Sequence, residues 1–164
     1  MSFMPAPPEQ PVLSVHPDKN IISLKGEDVR DFLNDILTAQ ISTLASDTAR
    51  AACLLSPQGR ILFDMMVMAT ADTVYLITEA EQAAPLVKRL TMYRLRRKIE
   101  ITVSPNLCAG HIWGADHGNF GLPDSCIGAH DERHKALGSL VLFSETDGLP
   151  EQAEAKYWQA LRIS

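Results

Sequence analysis

LLSPQGRILFDMMVMA, residues 54–69, has two apolar runs joined by a turn and predicts a β-hairpin. Pro57 supplies the fixed φ that suits the second position of a type I turn, and Gly59 accepts the unusual dihedral angles at its exit. Alternation along the second strand places Asp64 in an otherwise apolar row. Burying an unpaired carboxylate is costly. Asp64 is therefore a solvated acid, a structural acid bonded to the backbone, or part of a site.

The segments around the hairpin predict an α+β domain. EDVRDFLNDILT has the i, i+3, i+4, i+7 apolar spacing of a helix with one buried face, and EQAAPLVKRLTMYRL predicts a second helix, with Pro85 tolerated in its first turn. Strands are predicted at NIISLKG, residues 48–55, 60–70 and 73–78, and KIEITV. The order βαβββαβ predicts a ferredoxin-like split βαβ arrangement with one added strand, an antiparallel sheet with helices on one face.

The rest of the chain predicts three regions. Four prolines in the first eleven residues indicate a flexible tail over residues 1–14, and the βαβββαβ unit occupies residues 15–104. Residues 105–164 predict an incomplete second α+β segment. In it, LCAGHIWGA and LGSLVLFS are strands, residues 116–134 are a loop, and a helix starts at Pro150.

The composition limits the possible partners. Fifteen Lys and Arg against 20 Asp and Glu give a net charge of −5, which makes nucleic acid an unfavourable partner for the chain as a whole. No apolar run reaches the roughly 20 residues that cross a bilayer, and the first residues lack the features of a secretory signal. Three cysteines are too few for a disulfide framework. We therefore expect a cytoplasmic protein that does not contact a membrane.

Two clusters could carry chemistry. KRLTMYRLRRK, residues 88–98, holds six cations around Tyr93 and could bind phosphates, an anionic polyglutamate tail or RNA, or it could be a solvated helix end. The C-terminal third contains possible soft metal ligands with irregular spacing: Cys108, His111, His117, Cys126, His130 and His134. Because paired CxxC motifs and regular finger spacing are missing, we predict no metal site.

Five phrases in order carry a family resemblance: LKGEDVRDFLNDILTAQISTL, LLSPQGRILFDMMV, YRLRRKIEI, DERHKALGS and YWQALRIS. Together they resemble the N-terminal part of the YgfZ-type folate-binding proteins, which are iron–sulfur cluster maintenance relatives of the glycine-cleavage T-protein. The resemblance implies tetrahydrofolate as the ligand and a role beside the iron–sulfur assembly machinery or its client proteins.

The resemblance also implies site residues. Asp64 falls where T-protein-like relatives carry an acid beside the folate, and Arg60, Tyr93 and Arg94 match family positions near the hairpin and the helix end. Met68 stands where such relatives can have a tyrosine. The K-G-C signature expected after the R-I helix end is not in the chain, so we expect a fragment or a shortened form, and no complete enzyme.

Three functions follow. The leading one is a folate-binding accessory protein in iron–sulfur cluster assembly or repair, in which Asp64 faces the pterin and the basic segment attracts the glutamate tail. The second is a tetrahydrofolate-dependent aminomethyltransferase of the T-protein class, with Asp64 orienting the folate amine. The third is an RNA-binding α+β module that uses residues 88–98. A homodimer would cover apolar surface left by an incomplete second domain.

Overall fold

The computed structural model describes residues 6–163 as nine strands and three α-helices. Two short 3-10 turns, His117–Asn119 and Lys135–Leu137, interrupt the later loops. The elements are β1 Val12–Val15, β2 Lys19–Lys25, α1 Val29–Ile36, β3 Thr48–Leu55, β4 Ile61–Ala69, β5 Thr73–Glu79, α2 Ala80–Tyr93, β6 Glu100–Val103, β7 Cys108–Trp113, β8 Ile127–Asp131, β9 Ser139–Phe143 and α3 Ala155–Ile163.

The predicted βαβββαβ unit is present as β2 to β6, with strand order β3-β4-β5-β2-β6 and antiparallel neighbours throughout. Both helices pack on one face of this sheet. Phe32 and Leu33 of α1 and Leu86 and Leu90 of α2 share a core with alternate residues of the strands. The α+β class and the helices on one face are therefore confirmed.

Alternation along β4 follows the prediction. Met65 and Val67 lie in the core beneath the helices, whereas Met66 and Met68 lie on the opposite face. Pro85 differs from the prediction, because α2 begins at Ala80 and the proline falls in the second turn. A proline there removes one backbone hydrogen bond of the helix.

Residues after 104 extend the same sheet. The full order is β1-β7-β9-β8-β3-β4-β5-β2-β6, and the two halves join where β8 runs parallel to β3. Ile21, Met68 and Ile77 on the helix-free face pack against Leu140 and Leu142 of the second half. The segment 105–164, which the sequence predicted as an incomplete second α+β segment, therefore contributes strands to the same sheet and a core shared with the first half.

Three local predictions are corrected. β8 lies inside residues 116–134, which were predicted as loop. The predicted tail over residues 1–14 overlaps β1, which pairs with β7, while residues 1–5 lie outside the described residues. The last helix begins at Ala155, because Leu13 donates to the Glu151 carbonyl and accepts from the Ala153 amide and so keeps this stretch extended.

Among residues 6–163, no helix has both the length and the apolar character needed to cross a bilayer.

Candidate functional site

The β3–β4 turn fixes the candidate site. The Gly59 amide donates to the Ser56 carbonyl at 2.9 Å, Gly59 has φ +83°, and the Arg60 amide donates to Ser56 Oγ at 3.1 Å. The turn sets a register in which Cys53 of β3 lies opposite Asp64 of β4. The predicted hairpin and its turn residues are therefore confirmed.

Asp64 is exposed, so it is not an acid inside an apolar core. It shares the helix-free face with Met66 and Met68 but lies closer to the turn. The second half of the sheet packs over Met68 and partly over Met66, and it leaves Asp64 exposed. The backbone carbonyl of Asp64 accepts a hydrogen bond from Thr78 Oγ1 at 3.0 Å, which ties β4 to β5 where their ladder ends.

A row of polar side chains crosses the sheet at this level. Continuing the Met66–Ile77 register by two residues places Glu79 beside Asp64, and Glu79 pairs with Lys19 of β2 in register and as an ion pair. All members point to the helix-free face, because residues two apart along a strand share a face. We call this the carboxylate row, and it consists of Cys53, Asp64, Glu79 and Lys19.

The electrostatics of the carboxylate row oppose thiolate formation. Burial raises the pKa of the Cys53 thiol, and the negative charge of Asp64 raises it further. A thiol with a raised pKa is a poor nucleophile at neutral pH. Exposed carboxylates remain hydrogen-bond acceptors. The row is therefore suited to binding N–H donors and is unsuited to covalent chemistry through Cys53.

The four residues predicted for the site form two separate pairs. Arg60 is exposed at the turn, four residues from Asp64, at the same end of the sheet. Tyr93 and Arg94 lie at the far end of α2, which starts directly after Glu79 and is 14 residues long. At 1.5 Å per residue α2 spans about 21 Å. One small-molecule ring therefore cannot contact both pairs.

The basic segment 88–98 is partly structural. The Arg94 guanidinium donates to the Ile99 carbonyl at 2.6 Å, and Arg97 pairs with Asp35 at 2.9 Å. Tyr93 is half-buried, and the Arg89 guanidinium lies 6.0 Å from its ring centre. RNA binding by stacking requires an exposed aromatic face. Tyr93 exposes only part of its side chain.

The possible soft ligands do not converge. Within residues 6–163 the structure brings together no group of three or more His, Cys, Asp or Glu side chains that could hold a metal ion. The thiols of Cys108 and Cys126 are free. His111 instead belongs to a buried network.

This network was missed from the sequence. His111 Nε2 lies 2.9 Å from Asp131 Oδ2, and His111 Nδ1 lies 2.8 Å from His16 Nε2. Arg133 donates to both carboxylate oxygens of Asp131, at 2.9 and 2.6 Å. The Trp158 ring stacks on His111 with centroids 4.0 Å apart. The D-x-R pattern in DERHKALGS was a signal for Asp131 and Arg133, but nothing in the sequence joined them to His16.

Burial favours the neutral form of both histidines, and the hydrogen bonds then assign a tautomer to each. Asp131 accepts the Nε2 hydrogen of His111, so His111 Nδ1 is an acceptor and His16 Nε2 donates to it. Burial, followed by the charge of His111, lowers the pKa of His16 to about 3. Burial also lowers the pKa of His111, against the opposing effect of Asp131. Burial alone would raise the pKa of Asp131, yet its bonds from Arg133 and His111 lower it overall.

Comparison with known proteins adds three findings. Residues 19–115 match the family model described as the GCVT N-terminal domain. The chain is 29% identical over 107 residues to the mitochondrial iron–sulfur cluster assembly factor IBA57 of Mus musculus, covering 57% of this chain and 29% of that protein. The crystal structure of glycine cleavage system aminomethyltransferase T from Bartonella henselae matches with a TM-score of 0.65 at 16% identity, over 85% of this chain and 42% of that one.

The family match and the structural match support different conclusions about the chain. At 16% identity, the likeness to the aminomethyltransferase shows the fold alone. The chain spans less than half the length of either protein. The predicted resemblance to the T-protein and its relatives is confirmed by the family match and the shared fold.

Proposed function

The chain belongs to the GCVT N-terminal domain family, and from this membership we propose that it is a folate-binding component of iron–sulfur cluster assembly or repair. The iron–sulfur part rests on the mouse relative, which is named as an iron–sulfur cluster assembly factor. The folate part rests on the carboxylate row. One observation carries it: Asp64 is exposed on the helix-free face of the sheet, and extending the β4–β5 register two residues past its last pair brings Glu79 into the same row.

Tetrahydrofolate fits the donor set of this face. Its pterin ring presents N–H donors, and carboxylates accept such donors in strong, charge-assisted hydrogen bonds. Asp64 and Glu79 supply those acceptors, and the half-buried Met66 supplies apolar surface for the ring in the adjacent row. Arg60 is a cation near the same end of the sheet for the carboxylates of the glutamate tail. Bound tetrahydrofolate would supply a carrier for one-carbon units.

The protein groups have distinct tasks in this proposal. Asp64 binds and orients the pterin, and the ion pair with Lys19 holds Glu79 beside it. Cys53 lines the row as a protonated thiol and takes no part as a nucleophile. The Tyr93 end of the basic segment lies about 21 Å from Glu79 along α2, so Arg60 is the cation assigned to the tail in this proposal. This proposal therefore keeps Asp64 for the pterin but uses Arg60 for the glutamate tail, where the sequence suggested the basic segment.

Calorimetric titration of the full chain with 5-formyl-tetrahydrofolate tests the proposal. A hydrogen bond to a charged group contributes about 1.5–3 kcal/mol, so Asp64→Asn should weaken binding by roughly 10- to 150-fold. Asp147→Asn makes the same chemical change on an exposed loop of the second half and should leave the affinity unchanged. Equal binding by wild type and Asp64→Asn, or no saturable binding by wild type, would contradict the proposal.

A further inference from the structure

A groove of about 1270 Å³ runs between α1 and the segment that follows α2. We call it the α1 groove. The half-buried side chain of Ile36 contributes apolar surface to it above the buried ring of Phe32, while Glu27 and Asp28 stand on one side. Residues 94–98 form the other side. The groove is on the helix-covered side of the sheet and is independent of the carboxylate row.

Leu95 projects from the edge of this groove. It is 84% exposed and has φ +52°, a left-handed conformation that is unfavourable for a residue with a Cβ. Conformations of this kind persist where the surrounding structure over-determines them, and they cluster at functional sites. An exposed leucine at a constrained tip is therefore a candidate contact residue.

Neighbouring bonds hold the tip in place. The Arg97 amide donates to the Arg94 carbonyl at 3.0 Å, and the Arg94 side chain donates to Ile99. The Arg97 side chain pairs with Asp35 and lies 5.7 Å from the centre of the Phe32 ring. The tip is thus anchored to α1 and to Ile99, the residue before β6, and it presents Leu95 with little conformational freedom left to lose on binding.

The two sides of the groove carry opposite charges. Arg96 and Lys98 are exposed on one side, and Glu27 and Asp28 are exposed on the other. A uniform polyanion, such as RNA or an anionic membrane, would be repelled by the acidic side. A partner that carries both signs in the same arrangement would satisfy both sides. A second copy of this chain carries that arrangement, and in a two-fold pair each side of one groove faces the opposite side of the other.

We propose that the α1 groove is a self-complementary interface through which two copies of this chain associate about a two-fold axis. Leu95 of each copy enters the other copy's groove and packs on Ile36. Arg96 and Lys98 of each copy face Glu27 and Asp28 of the other. Each contact occurs twice, so one substitution removes two contacts.

Sedimentation equilibrium over a range of loading concentrations, at low and at high salt, measures this association. The wild type should form dimers at low salt and associate more weakly at high salt, because charge pairs at a surface are screened. Leu95→Ser should lower the association constant by at least about tenfold, since two buried anchors are lost. Ile61→Ser is the matched control, because Ile61 is an equally apolar side chain, 67% exposed, on the distant hairpin.

Reversing the charges on either side of the groove tests directly whether the two sides face each other in the dimer. Arg96→Glu/Lys98→Glu makes both sides acidic, and Glu27→Lys/Asp28→Lys makes both sides basic, while both variants keep the Arg97–Asp35 pair. Each variant alone should be monomeric, and an equimolar mixture should form heterodimers. Circular dichroism and thermal melting confirm that each variant is folded.

Three results would overturn the proposal. The first is a wild type that stays monomeric at every concentration. The second is a dimer that survives Leu95→Ser and both charge reversals, which would locate the contact on another surface. The third is a mixture of the charge-reversed variants that fails to associate.

Discussion

Asp64 shows how the environment of one residue depends on distant parts of the chain. Its strand and register were predictable from LLSPQGRILFDMMVMA alone. Its exposure was not, because it depends on how far β7 to β9 extend over the helix-free face. Met68 is covered, Met66 in the next row is half-covered, and Asp64 in the row after that is exposed. A carboxylate that looked misplaced in an apolar row therefore lies where the shared core ends.

Cys53 reports on the charge of Asp64. In a Cys108→Ser/Cys126→Ser background, alkylation by iodoacetamide follows the Cys53 thiolate alone. Its pH midpoint should lie above that of an ordinary thiol, because burial and then Asp64 raise the pKa. Asp64→Asn removes the negative charge that raises the pKa of Cys53, so the pH midpoint of alkylation should shift to lower pH. An unchanged midpoint would show that the carboxylate does not act on the thiol.

At the scale of elements, local pattern predicted the first half well. The helices and strands from β2 to β6 have strong apolar periodicity and turn residues that agree with it, so local and tertiary preferences coincide. β8 has no such pattern. In its five residues, IGAHD, Ala129 is buried against Leu140 and Leu142 of β9, and the burial of Asp131 is compensated by its bonds to Arg133 and His111. The start of α3 was likewise set by pairing with distant Leu13.

Two glycines with similar φ angles should respond differently to substitution. Gly59 has φ +83° and nothing within 4 Å of an added Cβ, whereas Gly138 has φ +80° and an added Cβ would lie 2.0 Å from the Ile112 carbonyl oxygen. Gly59→Ala should cost about 1–2 kcal/mol of unfolding free energy, from backbone strain alone. Gly138→Ala adds a clash with backbone and should cost several kcal/mol, on the order of 3 or more.

Urea denaturation of both glycine variants gives the comparison. The outcome that contradicts this account is a Gly138→Ala variant no less stable than Gly59→Ala. That result would mean that the connection between β8 and β9 can move away from β7 at little cost.

At the scale of the whole molecule, the buried histidine network joins parts that are far apart in sequence. His16 lies on the link between β1 and β2, His111 on β7, Asp131 on β8 and Trp158 on α3. Asp18, Lys19 and Arg162 also act on these histidines through their charges. No local sequence pattern could predict that these four side chains are in contact, because they become neighbours only when the sheet has formed.

The network predicts a loss of stability in mild acid. His16 has a folded pKa of about 3 against 6.5 when unfolded, so the unfolded chain binds more protons between these values. The stability that the neutral, buried His16 contributes to the folded state is fully present above pH 6.5, and it is lost as the pH falls towards 3. The lowered pKa of His111 acts in the same direction. Each histidine should lower the unfolding free energy by up to about 1.4 kcal/mol per pH unit.

Urea denaturation between pH 7.5 and 5 measures that slope. His16→Gln removes one titrating group and should flatten the dependence of unfolding free energy on pH. His130→Gln, at an exposed position, should leave the slope as in wild type. If His16→Gln and wild type show equal slopes, the buried histidine is not the source of the acid sensitivity.

The central claim is that folate binds at the carboxylate row, and a ¹H–¹⁵N correlation spectrum titrated with 5-formyl-tetrahydrofolate tests it most directly. The account predicts saturable shifts of the amides of Cys53, Asp64 and Glu79, with those of Arg96 and Lys98 unmoved. Shifts confined to residues 88–98, or no shifts at a large excess of ligand, would contradict it.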